Sequence, residues 1–158
     1  MTGQEPPFNR YVVDTNIVIY TLKGIEQAVA AMEKLEDDDI EVYYSTIVEA
    51  ELFSFHELTE EESGKIRAVL DLGEIVYVDS EVALKAAELR LLSRKTYQRK
   101  LKLPDAIVAA TALVYSAVLV TRNIEDFDHL KKTWFTSMEP IGCNSTRIDE
   151  KPLTNQDM

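Results

Sequence analysis

The chain lacks the features that mark secreted, disulfide-stabilised or membrane-spanning proteins. Its single cysteine, Cys143, cannot form a disulfide within the chain. No apolar run approaches the ~20 residues that a transmembrane helix needs, and residues 1–9 have neither the basic start nor the apolar stretch of a secretory signal. No repeat or linker divides the 158 residues. We therefore expect one cytoplasmic domain with no membrane partner.

Positive charge is also scarce, because 17 lysines and arginines stand against 28 acids, for a net charge of −11. This balance argues against a nucleic-acid partner, since phosphate binding needs cations. The distribution argues the other way, because six basic residues fall within thirteen positions that contain no acid. They are Arg90, Arg94, Lys95, Arg99, Lys100 and Lys102. This basic stretch is either a solvated helix end and loop or a surface that attracts RNA.

Short apolar segments alternate with longer segments of helical period. The predicted strands are 10–13, 40–44, 74–78 and 118–121, and the predicted helices are 16–22, 25–36, 46–57, 60–71, 81–95 and 104–117. This alternation predicts an α/β fold, with a central, mostly parallel sheet of about four to five strands flanked by helices in three layers. We place this domain at residues 10–140, between a flexible leader (1–9) and a polar C-terminal tail (141–158).

Four acids occur where α/β sheets usually place their chemistry. Asp14 leaves the first predicted strand, and Glu51 falls within the apolar arc of its predicted helix. Asp105 is the only charge in an alanine-rich helix, near the N-terminus of that helix, and Asp126 follows the last predicted strand. Taken alone, Asp14, Asp105 and Asp126 each also have a structural explanation as a cap, helix-start or turn residue, whereas Glu51 is the least easily explained in this way. Together they predict a site for Mg²⁺ or Mn²⁺, hard cations that prefer oxygen ligands.

Other polar residues have predicted structural roles. The spacings Thr46-x-x-Glu49 and Thr59-x-x-Glu62 both predict capping boxes at helix N-termini. The two histidines, His56 and His129, are predicted to lie at the surface rather than in the site.

The segments around the acids form a recognisable set. They are Val12-Val-Asp-Thr-Asn16, Ser45-x5-Glu51-Leu52, Pro104-Asp-Ala-Ile-Val-Ala-Ala-Thr-Ala112 and Leu119-Val-Thr-Arg-Asn123 with Asp126-Phe127. This set resembles the PIN domain, and most closely the VapC-like toxin ribonucleases of VapBC toxin–antitoxin modules. The resemblance implies a PIN-like α/β fold and endoribonuclease activity that depends on Mg²⁺ or Mn²⁺. It also implies a homodimer and a cognate antitoxin that blocks the acidic pocket.

Carried over by motif, the resemblance assigns metal binding and catalysis to Asp14, Glu51 and Asp105. Asn123 stands where many PIN domains have an acid, so Asp126 is included as the fourth carboxylate. The polar groups expected to surround and orient these carboxylates are Thr15, Asn16, Ser45, Thr121 and Asn123. The implied reaction is in-line attack of a metal-activated water on an RNA phosphodiester, with the basic stretch steering RNA toward the site.

Two other functions fit the same acids. One is phosphotransfer or phosphohydrolysis with Asp14 as the nucleophile, although such sites usually carry an acid where this chain has Asn16. A trapped aspartyl-phosphate at Asp14 would favour that function. The other is a non-catalytic module whose acidic pocket holds a partner. Tight partner binding without affinity for millimolar Mg²⁺ or Mn²⁺ would favour the module.

Overall fold

The computed structural model describes residues 9–134, and describes side chains as far as residue 130. Its strands are β1 (Arg10–Val13), β2 (Glu41–Ser45), β3 (Glu74–Val76) and β4 (Val118–Val120). Its helices are α1 (Thr15–Leu22), α2 (Glu26–Lys34), α3 (Thr46–Phe53), α4 (Glu60–Leu70), α5 (Ser80–Tyr97), α6 (Leu103–Val114) and α7 (Ile124–Trp134). None of the helices between residues 9 and 134 has the length and hydropathy that crossing a bilayer requires. The predicted leader, apart from Asn9, and the predicted tail lie outside the described residues.

The four strands form one sheet in the order β3-β2-β1-β4, and every pair is parallel. Val12 in the middle of β1 is in register with Tyr43 on one side and with Leu119 on the other. The predicted three-layer α/β fold is confirmed. The chain runs from β1 to β2 and β3 on one side of the sheet and then crosses back to place β4 on the other side of β1. This arrangement opens a crevice at the carboxyl ends of β1 and β4.

Helix α6 is the most deeply buried helix of the described residues. Ala106, Ala109 and Ala110 are all fully inaccessible, and the helix contacts α5 as well as β1, β2 and β4. Small alanine side chains allow its backbone to approach the sheet closely. Pro104 lies in the first turn of α6, where its missing N–H costs no hydrogen bond. The packing of α6 on the sheet therefore fixes the position of Asp105 relative to the strands.

Helix α3 begins at the predicted residue but has a different N-cap, and it ends at Phe53 rather than at residue 57. Its N-cap is Ser45, whose hydroxyl accepts a 3.3 Å hydrogen bond from the Ile47 N–H. The predicted Thr46–Glu49 capping box is wrong, because Thr46 instead accepts from the N–H of Val78, at 3.2 Å. Glu49 pairs with Arg67 across to α4, at 2.9 Å. The second predicted capping box, which joins Thr59 to Glu62, is confirmed.

Helix α7 was not predicted, since the segment after β4 has the composition of a turn. It forms because Phe127 and Leu130, one helical turn apart, are both fully buried. Asp126 is consequently an exposed residue in the first turn of a helix and not a loop residue.

Candidate active site

Asp14 lies at the point where β1 ends and α1 begins. Its N–H donates to the Val120 carbonyl at 3.0 Å, and its side chain caps α1. The residue is only 5% exposed, yet both carboxylate oxygens accept hydrogen bonds. Oδ1 accepts from the Thr15 N–H at 2.8 Å, and Oδ2 accepts from Thr121 Oγ1 at 2.7 Å. The carboxylate is thus buried but oriented by donors from both sides of the crevice.

Asn16 joins the segments that follow β1 and β4. Its Oδ1 accepts from the Arg122 N–H at 3.2 Å, and its Nδ2 lies 3.4 Å from both Asp14 Oδ2 and Thr121 Oγ1. Thr121 Oγ1 also accepts from the Asn123 N–H at 3.2 Å. The crevice is therefore closed at its base by a network of polar groups that is centred on Asp14.

Glu51 enters the site from α3 and is half-buried. Its Oε2 accepts a short hydrogen bond from the Thr15 hydroxyl, so Thr15 contacts two different carboxylates, one through its backbone and one through its side chain. Ser45 is fully buried. Its hydroxyl accepts a hydrogen bond from the backbone N–H of Ile47 and so caps the helix that carries Glu51.

The carboxylates influence one another electrostatically. Burial raises the pKa of Asp14 to about 6, the hydrogen bonds from Thr121 and Thr15 oppose the rise, and the charges of Asp105 and Glu51 add to it. Burial also raises the pKa of Asp105, and the neighbouring charges of Asp126 and Glu51 raise it further. The structure therefore brings Asp14, Glu51 and Asp105 into one region, with Asp126 on the side of Asp105.

The residues of this region fit a hard divalent cation. All the candidate ligands are carboxylate oxygens, and the charges of their neighbours help to raise the pKa of Asp14 and of Asp105, an effect that a bound cation would reverse. Within residues 9–130, no three acidic, histidine or cysteine side chains are placed closely enough to share an ion directly. Mg²⁺ sites typically use only one or two carboxylates and complete their coordination with water. The arrangement thus suits an ion held partly through water.

The basic stretch is divided by the fold. Arg90, Arg94, Arg99 and Lys100 line a cavity of about 560 Å³ at the end of α5, together with Gln98 and Leu101. Lys95 is exposed on α5 and does not line this cavity. Lys102 is the N-cap residue of α6, and its charge lowers the pKa of Asp105. Lys102 thus acts electrostatically on one of the candidate acids.

His129 is buried more deeply than predicted. Its Nε2 lies 2.8 Å from the hydroxyl of the fully buried Ser93, and its ring meets Tyr97 edge-on at 5.2 Å. Its buried Nδ1 has no hydrogen-bond partner among the described residues. The surface prediction is wrong for His129 and confirmed for His56, whose side chain is 90% exposed.

The sequence of α5 contains a signal for the contact between Ser93 and His129. Ser93 continues the buried positions Val82, Ala86 and Leu89 at helical spacing, so a polar group on that stripe needs a partner. The partner comes from α7, the helix that was not predicted.

Comparison with known proteins gives consistent matches. A family model described as PIN domain matches residues 11–133. A toxin–antitoxin complex from Klebsiella pneumoniae is 30% identical with a TM-score of 0.60, covering 74% of this chain and 89% of that chain. VapBC-1 from nontypeable Haemophilus influenzae is 25% identical with a TM-score of 0.65, covering 78% and 93%. VapBC2 from Rickettsia felis, bound to a DNA fragment from their promoter, shares the fold at 24% identity and a TM-score of 0.65, covering 76% and 92%. No curated protein matches significantly.

Proposed function

Because the chain belongs to the PIN domain family, we propose that it is a metal-dependent endoribonuclease and the toxin of a toxin–antitoxin pair. The observation that carries this proposal is the placement of Asp14 at the crevice between β1 and β4, close enough to Glu51 and Asp105 for both of their charges to raise its pKa. A carboxylate surrounded by other carboxylates is suited to holding a cation. The similarity to the toxin–antitoxin complex from Klebsiella pneumoniae supports the biological role.

In this mechanism Asp14, Glu51 and Asp105 would hold Mg²⁺ or Mn²⁺ directly or through water, with Asp126 as a fourth carboxylate beside Asp105. When bound, such an ion would supply an activated water and stabilisation of negative charge at the phosphodiester. The surrounding polar groups keep the carboxylates oriented: Thr15 acts on Glu51, Thr121 and Asn16 act on Asp14, Asn123 supports Thr121 through its N–H, and Ser45 caps the helix of Glu51. The basic stretch attracts RNA to an otherwise acidic protein.

The environment of Asp14 disfavours the aspartyl-phosphate alternative. Both of its oxygens already accept hydrogen bonds, and the residue is 5% exposed. A nucleophilic carboxylate needs an oxygen that is free to approach phosphorus in line. An ion or its bound water can be held by a remaining lone pair of an oxygen whose position these hydrogen bonds fix.

We also propose the partners and location that accompany this activity. The partners are an RNA substrate, a second copy of the chain in a homodimer, and a cognate antitoxin protein. The antitoxin is supported by the solved toxin–antitoxin complexes that resemble this chain. A cytoplasmic location is consistent with an RNA substrate.

The test is cleavage of RNA by purified protein in Mg²⁺, in Mn²⁺ and in EDTA. Asp14→Asn, Glu51→Gln and Asp105→Asn should each lose at least about 100-fold in rate, as expected for groups that act in the transition state. Asp38→Asn, which removes an exposed carboxylate in a loop, should cleave like the unaltered protein. Equal cleavage by the Asp14→Asn variant would reject the site. Tight antitoxin binding without millimolar metal affinity or cleavage would favour a non-catalytic module.

A further inference from the structure

The cavity at the end of α5 has an unusual lining for so acidic a chain. Four of its six lining residues are cations, namely Arg90, Arg94, Arg99 and Lys100, and none of the lining residues among those described is acidic. Its volume of about 560 Å³ falls within the roughly 300–1,000 Å³ of sites that hold small ligands. A cavity of this size and charge is suited to an anion.

The walls of the cavity are held in place by backbone hydrogen bonds. Gln98, the C-cap residue that follows α5, has a left-handed conformation (φ 48°). The N–H groups of Gln98 and Arg99 both donate to the Ser93 carbonyl. Arg90 Nε donates to the Leu101 carbonyl at 3.1 Å, which ties the returning loop to the helix. Arg94 follows Arg90 by one helical turn and lies on the same face. The cations are thus presented by a preformed scaffold.

These charges lack counter-ions within the part of the chain that the structure describes. None of the four cations pairs with a carboxylate there, whereas Arg10, Lys65, Arg67 and Lys85 each pair with a glutamate elsewhere. The dipole of α5 accounts for Arg94 in its last turn. It does not account for Arg99 and Lys100, which lie in the loop after the helix. Four like charges around one cavity repel each other, and an anion between them would relieve this repulsion.

The cavity is connected through the chain to the helix that carries Asp105. The loop that forms it continues directly to Lys102 and then to Asp105. Burial lowers the pKa of His129, the charge of Arg99 lowers it further and the charge of Asp126 raises it, so a residue of the cavity and a candidate acid both act on this side chain. A strand of phosphates bound in the cavity would therefore extend toward the carboxylates.

We propose that this cavity binds a backbone phosphate of the RNA strand, away from the bond that is cleaved; this rests on the proposed function. Two arginines suit a phosphate because guanidinium groups can bind its oxygens in pairs. A nucleic-acid strand is favoured over an acidic peptide because it carries a charge at every link and can span both regions. Arg94, Arg99 and Lys100 supply the binding groups, and Arg90 mainly holds the loop.

The test measures binding of a fluorescein-labelled single-stranded RNA by anisotropy at several salt concentrations, in an Asp14→Asn background that prevents cleavage. The double change Arg94→Gln/Arg99→Gln should weaken binding about tenfold or more, and reduce the slope of log K against log salt by about 0.7 for each phosphate that the protein no longer neutralises. Lys34→Gln is the control, because it removes an exposed charge on α2, outside the basic stretch. It should change binding by less than about twofold.

Additional arms separate the possible failures. Arg94→Lys/Arg99→Lys keeps the charge but removes the paired hydrogen bonds, so it should recover binding only in part; thermal unfolding of each variant verifies that it is folded. Equal RNA binding by the glutamine and control variants, with metal-dependent cleavage intact, would overturn the cavity proposal alone. The cavity proposal is also overturned if the cavity variants bind RNA normally and are impaired only in binding AMP, used as a free mononucleotide probe, or only in binding the antitoxin. Absence of RNA binding and cleavage in the unaltered protein would overturn the proposed function as well.

Discussion

Thr121 Oγ1 donates a 2.7 Å hydrogen bond to Asp14 Oδ2, joining residues that are 107 positions apart in the chain. The bond crosses from the end of β4 to the end of β1, which are neighbouring parallel strands. It stabilises the ionised carboxylate and therefore lowers the pKa of Asp14 against the effect of burial. The residue that needs a donor and the residue that supplies it meet only because β1 and β4 pair.

Thr121→Val removes this donor while keeping the shape of the side chain. The pKa of Asp14 should rise further, so cleavage should require higher pH and metal affinity at neutral pH should fall about 10–100-fold. Calorimetric Mn²⁺ titration and a pH–rate profile measure both effects. Thr121→Ser should retain most of the function, and Thr111→Val tests a buried threonine that bonds only within α6. An unshifted profile for Thr121→Val would contradict this role.

The raised pKa of Asp14 predicts a pH dependence of folding stability in EDTA. With a folded pKa of about 6 against 3.8, the folded protein binds the proton more tightly than the unfolded chain. This stabilisation is complete below pH 3.8 and is lost as the pH rises through 6, by up to about 3 kcal/mol. Urea unfolding between pH 4.5 and 7.5 should show the loss in the unaltered protein.

The Asp14→Asn variant isolates this contribution. It should lack the Asp14 part of the pH dependence, while other titrating groups contribute equally to both proteins. Adding Mg²⁺ at pH 7.5 should stabilise the unaltered protein more than the variant, because the ion binds the folded, ionised site. Identical pH and Mg²⁺ responses of the two proteins would refute the assignment.

Thr15→Val should separate catalysis from stability. The Thr15 hydroxyl donates to Glu51 Oε2, so its removal frees the Glu51 side chain to take other orientations. We expect cleavage to fall about 10–100-fold, while the free energy of unfolding changes by only about 1 kcal/mol. Steady-state kinetics and urea unfolding measure the two quantities, with Thr15→Ser as the variant that keeps the donor. An unchanged kcat in Thr15→Val would argue against an orienting role.

Two glycine substitutions should have opposite effects on stability. A Cβ at Gly73 would lie 2.7 Å from the Val42 carbonyl oxygen in β2 and 2.8 Å from the Tyr44 ring. Because a sheet carbonyl cannot move freely, Gly73→Ala should destabilise the fold by about 1–3 kcal/mol. Gly64 lies in α4 with nothing within 4 Å, so Gly64→Ala should stabilise by up to about 1 kcal/mol. Chemical denaturation of both variants checks the signs, and a Gly73→Ala variant as stable as the unaltered chain would disprove the clash.

Local structure was largely predictable from the sequence. The apolar Val12 and Val13 predict β1, the Thr59–Glu62 capping box marks the start of α4, and Pro104 marks the first turn of α6. Each signal depends on atoms only a few residues apart, so no long-range information is needed. The acids were identified for the same reason, since each stands at the boundary or on the apolar face of a predicted element.

The errors arose where distant segments compete for the same group. Ser45 caps α3 because Thr46 accepts instead from Val78, which reaches it through the pairing of β2 with β3. His129 is half-buried because α7 packs against α5 and the imidazole meets Ser93. Neither the cap of α3 nor the environment of His129 can be predicted from the residues that neighbour it in the sequence.

The sequence by itself determined every described element except α7, the parallel arrangement of the strands and the identity of the candidate carboxylates. Only the tertiary structure decided which donor serves which carboxylate, with Thr15 on Glu51 and Thr121 on Asp14, and which cations of the basic stretch share a cavity. The physical reason is that these relationships depend on the pairing of strands and the packing of helices. Periodicity within a segment carries no information about the distance between segments that lie far apart in the chain.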